Sequence, residues 1–288
     1  MANTRMKYRF LVALFCAVSA CVVRSEAAGS LNSSGQNAGQ ISDLGEIVEA
    51  DSTWKDKIRA SVTVRGEYTS NAELRGNHSS SDLLLLPTLD IGFTQPLTTK
   101  LSLDVAAKVE LGLYADHDER AFVGYTLNST LDYHPREGLP RIYASVEPYR
   151  YDGLDIGDTI TQAIGLTAGT SWGRAFNNGH SLLFTGYSFT HYIADPSIDT
   201  RNAHRVTAGI SHQIRSNLTG QLVYAWQYSD FTDFDRRDSK HILGLNFIYQ
   251  INQKWFTTIS GSWVDNDSDA LEASYQSAGG AVGVTYQF

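Results

Sequence analysis

Between residues 57 and 288, apolar and polar residues alternate in segments of about ten residues that are separated by turn-forming residues. The clearest segment spans residues 101–113, where every odd position from Leu101 to Leu113 is apolar. The even positions carry polar or small residues, among them Asp104, Lys108 and Glu110. A strand places these two sets on opposite faces, whereas a helix would mix them. The segment therefore predicts a strand with one dry face and one charged face.

The chain contains about twelve such segments, the even number that a bacterial single-chain transmembrane barrel requires. Their centres lie near residues 63, 90, 107, 127, 145, 165, 187, 209, 224, 246, 259 and 283. Residues 182–192 are ambiguous, because apolar residues occupy both faces. The connections alternate in character, and short periplasmic turns with longer external loops produce that rhythm. We expect tight turns at residues 95–100, 214–219 and 251–254, and longer polar loops at 70–82, 193–204, 229–240 and 265–274, with 134–140 and 171–180 departing from the pattern.

The N-terminus has the order of a secretory signal peptide. Basic residues at positions 5, 7 and 9 precede an apolar run over residues 10–23, and small residues follow at 25–29. The run is shorter than the about 20 residues that a membrane-spanning helix needs. We therefore predict a cleaved signal peptide over residues 1–27, a flexible periplasmic lead-in over 28–56, rich in Ser, Gly and Asn, and one barrel domain over 57–288.

An alternative use of this segment involves Cys21. Residues 18–21 resemble the lipobox of bacterial lipoproteins, in which the cysteine is acylated. The other interpretation is that Cys21 is a small apolar residue of the signal peptide, since a barrel already in the membrane gains little from a lipid anchor. The two cysteines are Cys16 and Cys21, so the remainder of the chain can form no disulfide and no thiolate metal site.

Charge and hydropathy narrow the class of protein. The formal net charge is −8, and the basic residues are scattered singly among acids, so we expect no nucleic-acid partner. No stretch after residue 54 approaches the length of a transmembrane helix, so a membrane-spanning chain must close into a barrel. We predict an all-β, transmembrane, antiparallel up-and-down β-barrel in the bacterial outer membrane, in contact with lipid and lipopolysaccharide.

The final residues carry the most specific motif. Val282, Val284, Tyr286 and Phe288 share one face, and this arrangement resembles the C-terminal signal by which the barrel assembly machinery recognises its substrates. Tyr and Trp favour membrane interfaces, and they cluster toward the predicted strand ends. These aromatic residues are Tyr68, Tyr125, Tyr133, Trp226, Tyr249, Trp255, Trp263, Tyr286 and Phe288.

The predicted inner face carries charges of both signs. The candidates for lining the lumen are Arg59, Arg65, Glu67, Asp90, Asp104, Lys108, Glu110, Glu147 and Arg205. Such charges either border a narrow water-filled path or pair across the lumen and plug it. The sequence leaves both open.

A histidine within reach of a Ser or Thr hydroxyl would be the signal of a hydrolytic enzyme. The nearest candidates are His180 with Ser181, His191 with Thr190 and Ser188, and Ser211 with His212. Adjacent strand residues point to opposite faces, so the directly adjacent pairs make poor dyads. We expect no catalytic activity, no cofactor and no metal.

Two acidic segments suggest a calcium loop and a surface network. Residues 265–269 alternate oxygen ligands as a calcium loop does, but Ala270 and Gln276 stand where such a loop has Gly and Glu. The acids of residues 230–238, with Arg236 and Arg237, suggest a surface network that divalent ions connect to lipopolysaccharide.

The signal peptide, the alternating segments, the hairpin over residues 228–245 and the final Tyr286-Gln287-Phe288 resemble the bacterial porin-like β-barrel families. The resemblance implies passive diffusion of small hydrophilic solutes. The alternative is a plugged structural or adhesive barrel whose external loops bind a partner. Autotransporter translocator domains share this size, but only residues 28–56 precede the predicted barrel, so no passenger domain is expected.

Overall fold

A computed structural model describes residues 57–71, 80–136, 138–154, 159–233, 235–270 and 273–288. The predicted signal peptide and lead-in, residues 1–27 and 28–56, lie outside the described residues and stay predictions. Cys21 lies in the same part of the chain, so its acylation stays an open alternative.

Twelve strands form one closed antiparallel barrel in which each strand pairs with its neighbours in sequence. They are β1 Ile58–Thr69, β2 Asp82–Pro96, β3 Leu101–Tyr114, β4 Phe122–Tyr133, β5 Arg141–Gly153, β6 Thr159–Phe176, β7 Ser181–Asp195, β8 Arg201–Arg215, β9 Leu218–Phe231, β10 Arg236–Gln250, β11 Trp255–Ser268 and β12 Tyr275–Gln287. β12 pairs with β1 and closes the barrel. The predicted up-and-down barrel of twelve strands is confirmed, and each predicted centre falls within its strand.

Short 3-10 turns lie at Asp118–Arg120 and Ser197–Asp199. Among the described residues, no helix is long and apolar enough to cross a membrane.

The outer wall is apolar and the inner wall is polar. On β2, for example, Ile91 is 46% exposed whereas its neighbour Asp90 is 3% exposed. The same inversion recurs on β3, where Lys108 and Glu110 are buried at inward positions. A protein in water would bury the isoleucine and expose the charges, but a barrel in lipid faces its apolar residues outward. The outer wall is therefore a lipid-contacting surface.

Aromatic side chains form a belt at the rim where β1 begins and β12 ends. Trp255, Tyr286 and Phe288 make a continuous cluster, with ring centroids 4.8 Å apart in each neighbouring pair. Tyr133 and Tyr249 lie near the ends of β4 and β10 at the same rim. Tyr and Trp prefer the membrane–water interface, because one part of the ring is apolar and another forms hydrogen bonds. We call this rim the periplasmic rim, since the tight turns of bacterial barrels lie on that side.

The opposite rim, here called the loop rim, has longer strands and shorter loops than the sequence predicted. The long loops predicted at residues 193–204 and 229–240 are wrong, because β7 runs to Asp195 and β8 begins at Arg201, while β9 and β10 meet across residues 232–235. The predicted loop at 265–274 is also shorter, since β11 extends to Ser268. Strand pairing here continues past the apolar band into polar sequence, so hydropathy alone placed the strand ends too early.

Inward aromatic rings lie over glycines on the neighbouring strand. Five pairs are directly opposed in register: Phe122 with Gly112, Tyr151 with Gly124, Tyr143 with Gly169, Tyr192 with Gly165 and Phe184 with Gly209. A Cβ atom on Gly124 would lie 2.5 Å from the Tyr151 ring, and one on Gly169 would lie 2.4 Å from the Tyr143 ring. The rings thus cover bare backbone beside them, the arrangement known as aromatic rescue of glycine. They line the wall instead of pointing to the barrel axis.

One buried carboxylate anchors the β3–β4 loop to the start of β2. Asp82 Oδ1 accepts hydrogen bonds from the N–H groups of Leu83 (2.6 Å), Ala115 (3.2 Å) and Asp116 (3.1 Å). Its Oδ2 accepts one from the His117 N–H (3.1 Å) and lies 2.7 Å from His117 Nδ1. His117 Nε2 lies 3.3 Å from the Ser80 hydroxyl. The carboxylate therefore holds the loop by its backbone.

We expect Asp82→Asn to lower the free energy of unfolding by about 1–3 kcal/mol, because an amide nitrogen cannot accept these backbone hydrogen bonds and N–H groups beside the buried carboxylate lose a partner. Urea unfolding measures the loss, and limited proteolysis should show faster cleavage within residues 115–121. Asp116→Asn removes an exposed acid from the same loop. Equal effects of the two substitutions would contradict the anchoring role.

Candidate functional site in the barrel interior

The structure places the nine predicted lumen residues at inward positions, but it brings them into small local groups. Arg59 forms an ion pair with Asp104, Arg65 Nη2 lies 3.3 Å from Glu67 Oε2, and Lys108 Nζ lies 3.4 Å from Glu110 Oε2. Asn128 donates a hydrogen bond to Glu147 (2.9 Å), and Asp90 stands directly opposite Lys108 in register. Arg205, on β8, lies apart from the other eight.

Seven inward charged residues were missed by sequence reasoning: Asp82, Asp132, Arg141, Arg201, Arg236, Asp238 and Lys240. Arg236 and Asp238 were assigned to a surface network, which is wrong, because both face inward at the start of β10 and pair at 2.5 Å. Their outward neighbour Arg237 pairs with Asp230, 3.5 Å away, on the outer wall. Continued alternation from Arg236 to Ile242 is the signal that identifies the inward set.

A compact basic patch lies on β8–β10 near the loop rim. In register, Arg201, Phe231 and Arg236 form one row across the three strands, and Arg205, Gln227 and Lys240 form a second. A row of Ala203, Ser229 and Asp238 separates them. Four basic side chains thus occupy the corners of a three-by-three grid whose one acid is Asp238. We call Arg201, Arg205, Arg236 and Lys240 the basic patch.

Rings and the single carboxylate hold parts of this patch. The Arg201 guanidinium lies 4.4 Å from the Tyr192 ring centroid, and that of Arg236 lies 4.4 Å from the Phe231 centroid. Arg236 also grips Asp238 through two hydrogen bonds of 2.9 and 2.5 Å. Lys240 experiences the charges of the other three bases of the patch and of Asp238. Asp238 is therefore paired with Arg236, and the other three basic residues outnumber the carboxylates of the patch.

The acidic residues collect on the other side of the barrel. Inward carboxylates on β1–β5 are Glu67, Asp82, Asp90, Asp104, Glu110, Asp132 and Glu147, against the bases Arg59, Arg65, Lys108 and Arg141. The middle strand of this acidic arc, β3, and the middle strand of the basic patch, β9, lie six strands apart in the closed order of twelve. The interior thus carries opposite charge excess on opposing walls.

Water access varies along the interior. Close to the rims, Arg59, Arg141 and Arg236 keep side-chain exposures of 26%, 21% and 29%. In the middle of β3, Lys108 and Glu110 fall to 7% and 3%. The Tyr151 hydroxyl donates a hydrogen bond to Glu110 (2.9 Å), which adds a contact at this level of the barrel. Of these five side chains, those of Lys108 and Glu110 are therefore the least accessible to water.

Apolar side chains cover part of the inner wall toward the loop rim. One buried cluster extends from β2 to β6 and contains Leu84, Leu86, Phe122, Tyr149, Tyr151 and Ala163. Tyr114, Tyr192 and Ala194 pack against it, which carries the apolar surface on to β7.

The Ser–His pairs considered from the sequence do not form as sequence neighbours. The Ser181 hydroxyl instead lies 2.9 Å from His212 Nδ1 across the β7–β8 ladder, and His180 and His191 contact Gln213 and Asn202. The acidic segment considered for calcium is not a loop, because Asp265 and Asp267 belong to β11. Within the described ranges, no group of three or more His, Cys, Asp or Glu residues is arranged to hold a metal ion.

Comparison with known proteins supports the class that this architecture indicates. The profile of a family described as "Putative beta-barrel porin 2" matches residues 193–288. A solved outer-membrane channel from Pseudomonas putida F1 superimposes with a TM-score of 0.54 at 14% identity, over 81% of this chain and 95% of that chain. The KdgM porin gives a TM-score of 0.48 at 12% identity over 79% and 99% of the two chains. The translocator domain of the autotransporter NalP from Neisseria meningitidis gives 0.48 at 9% identity over 86% and 92%. No curated protein sequence matches the chain significantly.

At these identities the structural likeness concerns the fold. The closed barrel and its apolar outer wall are the fold of a bacterial outer-membrane β-barrel, and the porin family matches the last third of the chain, residues 193–288. The fold and the outer-membrane location predicted from the sequence are confirmed.

Proposed function

We propose that the protein is a porin-like channel for passive diffusion of small hydrophilic solutes across the outer membrane. One observation carries the proposal: inward charged side chains stay accessible to water near both rims of the barrel. An interior built only as a core would bury apolar groups there, since unpaired burial of charge is unfavourable. The level of Lys108 and Glu110 is the constriction, and the nine predicted lumen residues line the path to it.

Opposing charge on the two walls supports a filter for solute orientation. The acidic arc on β1–β5 faces the basic patch on β8–β10 across the lumen. A field of this kind aligns a dipolar solute as it passes and disfavours bulky apolar ones. The proposal assigns the chain no catalytic step.

The test is single-channel conductance of the refolded barrel in a planar bilayer, with heat-modifiable gel mobility to show that the barrel is folded. We expect stable discrete openings. Arg65→Glu should shift selectivity toward cations, because Arg65 faces the lumen beside Glu67, whereas Arg237→Glu on the outer wall should leave selectivity unchanged. A folded but silent barrel would contradict the channel.

A plugged structural or adhesive barrel is the second candidate, and the apolar surface from β2 to β7 favours it. Such a barrel would give no conductance, and its loops at the loop rim would bind a partner. Conductance therefore separates the two candidates.

We also propose roles for the wall and the C-terminal strand in assembly. Val282, Val284, Tyr286 and Phe288 would be the signal that the barrel assembly machinery binds. Support comes from their position, since Val282 and Val284 are exposed on the outer face and β12 closes the barrel. In this proposal the exposed Asp230–Arg237 pair at the loop rim would contact lipopolysaccharide.

A further inference from the structure

The basic patch carries positive charge that the described part of the protein does not neutralise. Arg236 is bound to Asp238, which leaves Arg201, Arg205 and Lys240 without a carboxylate of their own among the described residues. Arg205 Nε is buried and has no hydrogen-bond partner there. Like charges this close repel one another, and a bound anion between them would remove that repulsion.

The register places the two least satisfied bases on one row. Arg205 on β8 and Lys240 on β10 flank Gln227 of β9. Gln227 donates a hydrogen bond to Ser229 (3.2 Å) on the same strand. A guanidinium and an ammonium on one row of the inner wall are suited to the two oxygens of a carboxylate, because a guanidinium fork pairs with both.

Tyrosines border the same row. The Arg201 guanidinium lies 4.4 Å from the Tyr192 ring centroid, and Lys240 Nζ lies 5.8 Å from the Tyr275 ring centroid. Tyr192 stands directly opposite Arg201 in register, so aromatic surface borders the cations. Aromatic surface next to a cation suits an organic anion with a flat or apolar body better than a fully hydrated inorganic ion.

We propose that the Arg205–Gln227–Lys240 row is a binding subsite for small organic carboxylates inside the barrel. The subsite rests on the proposed channel function as the step at which such a solute is held during passage. Arg201 and Arg236 form the entrance to it at the loop rim, because they occupy the next basic row on the same strands.

The test measures binding of benzoate to the refolded barrel in detergent by saturation-transfer NMR, which needs no conduction. We expect saturable binding that weakens about tenfold or more in the Arg205→Gln/Lys240→Gln double variant, since each bond to a charged group contributes enough for a factor of this size. Arg237→Gln removes one positive charge from the outer wall of β10 and should leave binding unchanged. Benzamide, which lacks the negative charge, should not bind, and phosphate should not displace benzoate.

The outcomes separate this inference from the channel. Conductance with no benzoate binding overturns the subsite and keeps the channel, whereas binding in a silent barrel keeps the subsite and overturns the channel. Equal binding by the double variant, or displacement by phosphate at the same concentration as benzoate, overturns the carboxylate assignment. If the double variant does not refold, Lys240→Gln alone carries the comparison, and unchanged binding in that variant is equally contrary.

Discussion

Lys108→Gln is expected to lower the free energy of unfolding by about 3–5 kcal/mol, because it removes one partner of a buried ion pair and leaves the other charged. Glu110 is 3% exposed and lies 3.4 Å from the Lys108 ammonium. Asp90 and Glu147 also act electrostatically on Lys108. Removing the ammonium therefore leaves three carboxylates close together at the constriction.

Urea unfolding in lipid vesicles, followed by the fluorescence of the five tryptophans, measures this loss. The matched control is the double variant Lys108→Gln/Glu110→Gln, which removes both charges of the pair. It should be clearly more stable than Lys108→Gln alone, as coupled residues are not additive. If the single variant unfolds at the wild-type urea concentration, the ion pair does not stabilise the constriction.

Gly209→Ala is expected to lower the free energy of unfolding by about 1–3 kcal/mol through overpacking. A Cβ atom at Gly209 would lie 2.4 Å from the Phe184 ring and 2.7 Å from the backbone oxygen of Leu222. The ring can turn, but the ladder between β8 and β9 holds the carbonyl in place. The strain must then be absorbed by the strand pair.

Gly66→Ala is the matched control on β1. No heavy atom lies within 4 Å of the Cβ that this substitution would add, and a residue other than glycine in a strand restricts the unfolded chain. The control should be neutral or slightly stabilising, so only Gly209→Ala should lower the urea midpoint. A shift of the same sign and size for both would show that close packing at Gly209 is unimportant.

The strand number and the two faces follow from the sequence because lipid and lumen impose opposite demands on alternate residues. Leu101, Val105 and Leu113 had to be apolar to face lipid, whereas Asp104 and Lys108 could remain charged only inside. This alternation needs no knowledge of partners. It therefore predicts the number of strands and the inward direction of the nine charged residues proposed to line the lumen.

Three of the four residues of the basic patch were missed for the opposite reason, and Arg205 alone was predicted. Arg201, Arg236 and Lys240 lie beyond the apolar band, where both faces of a strand are polar. The composition of these strand ends is therefore typical of a loop. Hydrogen bonding between neighbouring strands extends the ladder there, and hydropathy does not report it. Only the parity from Arg236 through Asp238 to Lys240 indicates the inward face.

Strand register was also beyond the sequence. The pairs of Tyr143 with Gly169 and Phe122 with Gly112 depend on which residues of two strands stand opposite each other. A slip of one residue exchanges the two faces, and a slip of two keeps the faces but changes every partner. Loop geometry sets this choice. The sequence therefore predicts that a lumen exists but not which side chains meet within it.

The seam between β1 and β12 also governs the order of events during biogenesis. Thr63 and Thr285 share a hydrogen bond across 222 positions of the chain, so the first strand must wait for nearly the whole polypeptide before it gains its second neighbour. Until then both strands present unpaired edges, which invite aggregation. Contacts so distant in sequence also form slowly. The topology thus leaves the edges of β1 and β12 unpaired for longer than those of the other strands.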